Sequence, residues 1–393
     1  MMNASPSRRL IYAMAAATGL AVANLYYNQP MLGVMERAMP SSFMALVPTA
    51  TQLGYALGLF TLVPLGDLFE RRKLIVTQFC VLACALVIAA LAPTAGVLVL
   101  GSLCMGAAAT VAQQIVPLAA HLAPPERRGA IVGTVMSGLL CGLLLSRTLA
   151  GFVAAHAGWR AMFWLGVPLA LATATVMGRM LPESQPTTQT SYRELMVSLT
   201  HLWRQLPSLR LAAFTQALLF GVFSVFWTIL ALRLQDPRFN LGSEVAGLFG
   251  IIGAVGIFAA PVAGRIADRR GPHRVILGGT VLVLFSWFVF SIWQSLSGLI
   301  AGCILLDFAV QSVLISNQHI IYAGRPEARG RITTLFMGVM FLGGASGSAA
   351  AMLAWTAGGW NMVCLLSALL SAAAVILQLR SRQSGIIHGD QSP

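Results

Sequence analysis

Gly264-Arg265-Ile266-Ala267-Asp268-Arg269-Arg270-Gly271 lies between two long apolar runs, and Gly66-Asp67-Leu68-Phe69-Glu70-Arg71-Arg72-Lys73 lies between two others. Gly66 with Glu70-Arg71-Arg72 matches Gly264 with Asp268-Arg269-Arg270 at an offset of 198 residues (66 to 264). Two further landmarks repeat in the same order. Pro125-Glu126-Arg127-Arg128-Gly129 returns as Pro326-Glu327-Ala328-Arg329-Gly330, and Gly158-Trp159 as Gly359-Trp360, both at an offset of 201 (125 to 326, 158 to 359). Three landmarks at nearly one offset make the chain a tandem duplication, and the apolar runs between them decide what is duplicated.

Of the 393 residues, 57% are hydrophobic and 9% charged, where soluble domains carry about 25% charged residues. Twelve acidic and 25 basic side chains cannot cover several aqueous surfaces, so lipid is the solvent that fits. Stretches of about 20 apolar residues, each able to cross about 30 Å of hydrocarbon, are expected at 10–35, 45–66, 74–92, 95–120, 130–156, 161–181, 209–234, 245–265, 274–293, 297–323, 331–356 and 360–379. The expected fold is an all-α membrane protein, with twelve transmembrane helices in two pseudo-symmetric six-helix bundles related by an axis along the membrane normal. That architecture predicts a site between the bundles. The N-terminal bundle is expected over 1–181 and the C-terminal one over 209–393. The stretch 182–208, rich in Thr, Ser, Gln and Pro, reads as a cytoplasmic linker. Within it Tyr192, Leu195, Met196, Leu199, Leu202 and Trp203 recur at helical spacing, which predicts an amphipathic surface helix. The first apolar run is longer than a signal-peptide core of about 7–15 residues and is expected to be an uncleaved span.

The formal net charge is +13, but the bases sit in short clusters such as Arg8-Arg9, Arg127-Arg128 and Arg269-Arg270 at the ends of apolar runs. Such placement marks topology and argues against a nucleic-acid groove. The odd-numbered connections hold only Arg37, Arg160, Arg233 and Arg238, while the even ones and both tails hold the other bases outside the spans. This bias places both termini in the cytoplasm and the chain in a cell inner (plasma) membrane. Cys80, Cys84, Cys104, Cys141, Cys303 and Cys364 lie in apolar stretches without the spacing of a zinc site or a disulfide framework, so neither metal nor cofactor is expected. No phosphate-binding Gly-x-x-x-x-Gly-Lys-Ser/Thr occurs and Lys73 is the single lysine, which excludes ATP-driven pumping by this chain. Isolated histidines and scattered acids give no catalytic cluster, so an enzyme is not expected.

At these residues the sequence resembles the major facilitator superfamily over essentially its whole length. The family signature between the second and third helices, Gly-x-x-x-Asp-Arg-x-Gly-Arg-Arg, is echoed between the eighth and ninth. Gly264 to Gly271 is a good second copy. In the first copy Glu70 stands where the family usually has Asp, and Lys73 where it usually has Gly. The resemblance implies a cytoplasmic gating loop built from Gly66, Asp67, Glu70, Arg71 and Arg72, repeated at Gly264, Asp268, Arg269 and Arg270. Glycine lets helices approach, and carboxylates facing guanidinium groups and helix N-termini make a charge latch that can open. Ala23-Asn24-Leu25-Tyr26-Tyr27-Asn28-Gln29-Pro30 and Gly158-Trp159-Arg160-Ala161-Met162-Phe163-Trp164 look like a bacterial branch near the drug and small-solute proton antiporters. Their fifth-helix motif, Gly-x-x-x-Gly-Pro-x-x-Gly-Gly, is degraded here: Gly142 to Gly151 carries Ser146-Arg147 in place of Gly-Pro.

The resemblance implies a secondary transporter moving a small organic solute by alternating access, expected to be a monomer in the lipid bilayer that draws on the proton gradient for export. An uncoupled facilitator or importer is the alternative, and a sensor of the same fold a lesser one. Arg147 and Asp307 are the charged residues well inside expected spans, where a charge costs at least about 2.5–3.5 kcal/mol at a helix centre. In this family the first, fourth, seventh and tenth helices line the cavity, which puts Asp307 and Gln311 on its wall. Asp307 is the first candidate for proton coupling or for a cationic substrate group, since a carboxylate partly withdrawn from water can exchange a proton near neutral pH. A static role opposite Arg147 or a backbone donor is the rival reading. Arg147 is expected to bond backbone carbonyls or a facing helix, or to meet an anionic substrate. Around the same cavity Asn24, Tyr27 and Asn28 are expected to share a face of the first helix, with Gln113 and Gln114 on the fourth and Gln216 and Trp227 on the seventh, and these amides and aromatics, with Gln311, are expected to bind a small, partly apolar solute.

Overall fold

The computed structural model describes residues 6–184, 191–323 and 328–383, apart from the side chains at 257, 258, 260, 261, 268, 270, 382 and 383. The described residues are helical and contain no strand. The chain divides into two compact units, Met1–Met196 and Val197–Pro393. Part of the expected linker (185–190) and the landmark residues Pro326 and Glu327 lie outside the described residues, as do the Asp268 and Arg270 side chains.

In the first unit, α1 (Arg8–Ala23) and α2 (Asn28–Ala38) form one span broken at 24–27. The second span is α3 (Val47–Thr61), which ends in the 3-10 turn Val63–Asp67. Then follow α4 (Arg71–Leu91), α5 (Ala95–Ala109) and α6 (Ala112–Leu122). The fourth span, expected as one helix, is broken at Thr110 and Val111. Helices α7 (Arg128–Ala157) and α8 (Trp159–Met180) complete the six.

Helix α9 (Tyr192–Gln205) buries Leu199 and Leu202 and exposes its other face. It starts in a capping box: the Ser191 N–H donates to Glu194 Oε2 (2.9 Å), and the Glu194 N–H donates to Ser191 Oγ (3.3 Å). The Tyr192 hydroxyl donates to the Thr61 carbonyl (3.3 Å), which ties the start of α9 to the end of α3.

The second unit holds α10 (Pro207–Gln235), α11 (Ser243–Gly253), the 3-10 turn Ala254–Phe258, and α12 (Ala259–Arg270). Then follow α13 (Pro272–Ile292), α14 (Leu296–Ala323) and α15 (Arg329–Gln383). Ten helices among the described residues are long and apolar enough to cross a membrane. One of them, α15, contains two spans parted at Gly358 and Gly359, and the eighth span is split across α11 and α12. The total agrees with twelve crossings.

The repeat seen in sequence has a structural cause at two places. Gly158 and Gly359 both take positive φ (81° and 59°), a conformation that side-chain-bearing residues rarely adopt, and each ends one helix so that the next can turn back from Trp159 or Trp360. The second place is a helix crossing without side chains. A methyl group on Gly138 would fall on the Ala15 backbone and one on Gly142 on the Gly19 backbone. In the other unit a methyl on Gly343 would fall on Ala217, and one on Gly347 on Gly221. Each bundle is thus pinned by backbone-to-backbone contact of its first and fifth helices, the close approach that small residues permit in lipid. The stretch that departs from the exporters' motif keeps this packing glycine, Gly142.

Outside the crossings, buried aromatic rings fill the second unit: Phe226 stacks on Phe290 (4.8 Å between centroids), and Trp287 meets Phe290 edge-on (5.0 Å). Arg233, expected at the external end of the seventh span, has a side chain only 6% exposed. Its guanidinium bonds Asp236 (3.0 Å) and Gln294 (3.4 Å) and lies over the rings of Phe239 (5.2 Å) and Trp360 (5.1 Å). It therefore joins the end of α10, the connection after α13 and the second half of α15. Gln294 also accepts from Arg238 (3.1 Å).

Candidate functional site

In the first unit the polar residues gather at the two broken spans. Asn24 caps α1 by donating to the Leu20 carbonyl (2.7 Å). Four residues on, Asn28 opens α2 and donates to Thr51 Oγ1 on α3 (2.6 Å). A tight turn at 24–27 interrupts the helix expected to carry Asn24, Tyr27 and Asn28, and Asn24 bonds within α1 while Asn28 turns to α3. All three are buried. Gln113 and Gln114, just past the second break, also part company. Gln113 donates to the Tyr55 hydroxyl (3.0 Å). Gln114 donates to Gln78 Oε1 (2.8 Å) and to the Leu62 carbonyl (3.2 Å), where α3 has ended and the 3-10 turn that bears Gly66 and Asp67 begins.

Arg147 is 1% exposed. Its Nε donates to Gln29 Oε1 on α2 (3.1 Å), and its guanidinium lies over the Tyr26 ring at 4.4 Å. Both contacts come from the broken first span, so the cation is held by a facing helix, through an amide and an aromatic face. We expect Arg147→Met to lower stability by about 1–3 kcal/mol, because Gln29 Oε1 loses its charged donor inside the bundle. Thermal unfolding of the purified protein checks this, and an unchanged midpoint would contradict it.

The loop between α3 and α4 of the first unit is assembled as a chain of charges. The Arg71 Nε donates to the Gly66 carbonyl (3.1 Å), and its Nη2 pairs with Asp67 (3.3 Å). Glu70 meets Arg72 (3.5 Å) and Lys73 (3.3 Å), and Arg72 reaches Glu183 after α8 (2.8 Å). In the second loop Arg269 is exposed, and a methyl on Gly264 would meet nothing within 4 Å.

In the second unit Gln216 Oε1 accepts from Asn317 on α14 (3.3 Å). Above it on α10 run Phe220, stacked on Phe223 (5.5 Å), and Trp227 (6.0 Å from Phe223). Asp307 is 6% exposed, and its Oδ2 accepts from the Cys303 thiol one turn earlier (3.6 Å). Gly253, at the end of α11, faces the carboxylate: a methyl on it would stand 3.0 Å from Asp307 Oδ1. Gln311 lies one turn further along α14 and packs by its Cγ against Gly256.

Sequence reasoning missed Tyr26, Gln29, Thr51, Tyr55, Gln78, Cys303 and Gly253. Polarity inside an apolar run flags Gln29 and Gln78. Nothing local flags Gly253 or Cys303. Among the described residues no group of three or more His, Cys, Asp or Glu is placed to hold a metal ion.

A sequence model of the Major Facilitator Superfamily matches residues 12–348. The chain is 42% identical over 383 residues to the transporter YgaY of Escherichia coli O157:H7, covering 96% of this chain and 97% of that one. It is 31% identical over 373 residues to the probable transporter SCO4007 of Streptomyces coelicolor, covering 93% and 86%. The multidrug resistance protein MdtG of Escherichia fergusonii is 28% identical over 226 residues, covering 53% of each chain. Among solved structures, a bacterial homolog of the human lysosomal transporter Spinster, inward-facing and occupied, has a TM-score of 0.80 at 13% identity, covering 98% of both chains.

Proposed function

Since the chain belongs to the major facilitator superfamily and is therefore a multi-pass membrane transporter, we propose that it exports a small organic solute by proton-coupled alternating access, with Asp307 carrying the proton. The observation that carries this reading is a carboxylate 6% exposed, midway along a transmembrane helix, with a thiol donor on one oxygen and a glycine opposite the other. A charge so placed is expensive, and in transporters such groups serve ion pathways. A carboxyl group in this setting can be held neutral or charged by small changes around it, which is what coupling requires. The likeness to MdtG supports export. The asymmetric charge of the connections supports cytoplasmic termini in an inner membrane, and we take the working unit to be one chain. The charges of Asp67, Glu70, Arg71 and Arg72, with those repeated in sequence at Asp268, Arg269 and Arg270, act in this reading as the cytoplasmic latch. Asn28, Gln113, Gln114, Gln216 and Trp227 contribute by holding the broken helices and the aromatic wall in place.

A second reading, an uncoupled facilitator or importer, is favoured by the departure of Gly142 to Gly151 from the exporters' motif. The test is proton movement on adding candidate solutes to protein reconstituted in liposomes. Solute flux abolished by an uncoupler is the expected result. Flux indifferent to the uncoupler, with no proton movement, would replace the first reading with the second.

A further inference from the structure

The two units differ at one crossing where the repeat predicts likeness. In the first unit Gly106 on α5 packs against Thr51 on α3 so closely that a methyl on it would fall on the Thr51 carbonyl, and Gly54 lies as closely against Leu103. At the offset of 198 that joins Gly66 to Gly264, Gly58 maps to Gly256 (58 to 256) and Tyr55, whose backbone nitrogen a methyl on Gly106 would also meet at 3.0 Å, maps to Gly253 (55 to 253), while Gly106 maps to Asp307 at 201 (106 to 307). Gly256 keeps the part of Gly58, which packs on Ala107 and Thr110: a methyl on Gly256 would stand 3.3 Å from the Asp307 backbone oxygen and 3.2 Å from Gln311 Cγ. The other pair is inverted. The small residue has moved from the fourth helix of the bundle to the second, and a carboxylate occupies the place it left. A methyl on Gly253 would stand 3.0 Å from Asp307 Oδ1 and 3.0 Å from Trp227 Cζ2, closer than the separation at which carbon atoms attract best. Here too the chain tightens into the 3-10 turn Ala254–Phe258, where the corresponding residues of the first unit lie inside the unbroken α3.

We infer that Gly253 is the positioning residue of the Asp307 carboxylate. The helix-to-helix contact of the first unit is exchanged in the second for a notch that admits a carboxyl group, walled by Gly253, Gly256, Trp227 and Cys303. The functional half of this inference rests on Asp307 as the proton carrier, whereas the packing half stands apart from it. A side chain at 253 displaces Oδ1 or pushes the Trp227 ring, and the carboxylate no longer sits where its proton is exchanged.

Two measurements separate the halves. Thermal unfolding in detergent is compared for Gly253→Thr, Asp307→Gly and the double variant, in which the carboxyl group that a side chain at 253 would meet is gone. Gly253→Thr is expected to lower the melting temperature by about 5 °C or more, and the double variant to regain at least about half of that loss. Additive losses overturn the exchange of residues. Should Gly253→Thr yield no folded protein, its recovery in the double variant supports the exchange and continued failure overturns it.

The second measurement is protons moved per solute in liposomes, a ratio that loss of folded protein does not change. Gly253→Ala is expected to lower it at least about fivefold. Gly278→Ala, whose methyl would meet nothing within 4 Å, leaves it at the wild-type value. A wild-type ratio in Gly253→Ala beside a lost ratio in Asp307→Asn overturns the positioning role. A wild-type ratio in both overturns the proton reading of Asp307 and the positioning role with it, while the melting series still decides the notch.

Discussion

Asp307→Asn abolishes proton-driven transport, lowering uphill solute flux by about 100-fold or more, while exchange of solute down its own gradient persists. The amide has nearly the shape of the carboxyl group and fits the space opposite Gly253, so the fold is expected to survive the change. What it lacks is a titrating proton. With the coupling group fixed in a neutral form, the transporter loses the means by which the proton gradient biases its conformations. The melting temperature is expected to hold or rise, because a carboxylate buried in lipid-spanning helices is costly to keep charged and its neutral replacement is not. The measurement is paired: solute accumulation in proteoliposomes under an imposed pH gradient, and solute exchange without one. Accumulation undiminished in the variant would remove Asp307 from the mechanism and leave it a buried structural acid.

The second large effect falls on stability. Gly142→Val and Gly347→Val each place a branched side chain where even a methyl group would coincide with a neighbouring backbone, at Gly19 and at Gly221. Neither backbone can yield without separating two helices along their length, and the expected destabilisation is roughly 3–5 kcal/mol or outright failure to recover folded protein. Gly133→Val on the same α7, where an added methyl meets nothing within 4 Å, is expected to cost less than about 1 kcal/mol. Size-exclusion profiles and unfolding midpoints in detergent separate these cases. Equal behaviour of the Gly133 and Gly142 variants would mean that the crossing is not what pins the bundle. The repeat makes the prediction twice over, once in each unit.

Hydropathy alone located the spans, because a helix in lipid must be apolar for about 20 residues and nothing else in the chain is. It did not locate the breaks. Asn24-Leu25-Tyr26-Tyr27 follows alanine and valine and runs on into Asn28-Gln29-Pro30, amides that read equally as a polar face of one helix, yet the helix stops there as Asn24 bonds back to Leu20. The fourth span breaks at Thr110 without glycine or proline, its hydroxyl bonding the Ala107 carbonyl (2.6 Å). Such competition between side chain and backbone depends on tertiary neighbours and leaves no period to read. The intramembrane charges were legible one by one, since Arg147 and Asp307 stand out in any apolar run. Their partners were not. Gln29 precedes Arg147 by 118 residues, and Gly253 carries meaning only when set beside Tyr55 through the internal repeat.

Arg233, wedged between two aromatic rings and bonded to Asp236 and Gln294, works as a rivet. Three helix ends fastened at one point cannot slide past one another, so the outer end of the second unit behaves as a solid block under load. Strain put on that unit is passed along its helices to the next compliant element, and the one that offers itself is the 3-10 turn at 254–258, a stretch with weaker internal bonding than the helix on either side. The turn follows Gly253, which faces the Asp307 carboxylate, and its Gly256 packs on the Asp307 backbone. A stiff head and a soft neck would bring mechanical work and proton chemistry to the same few ångströms of chain.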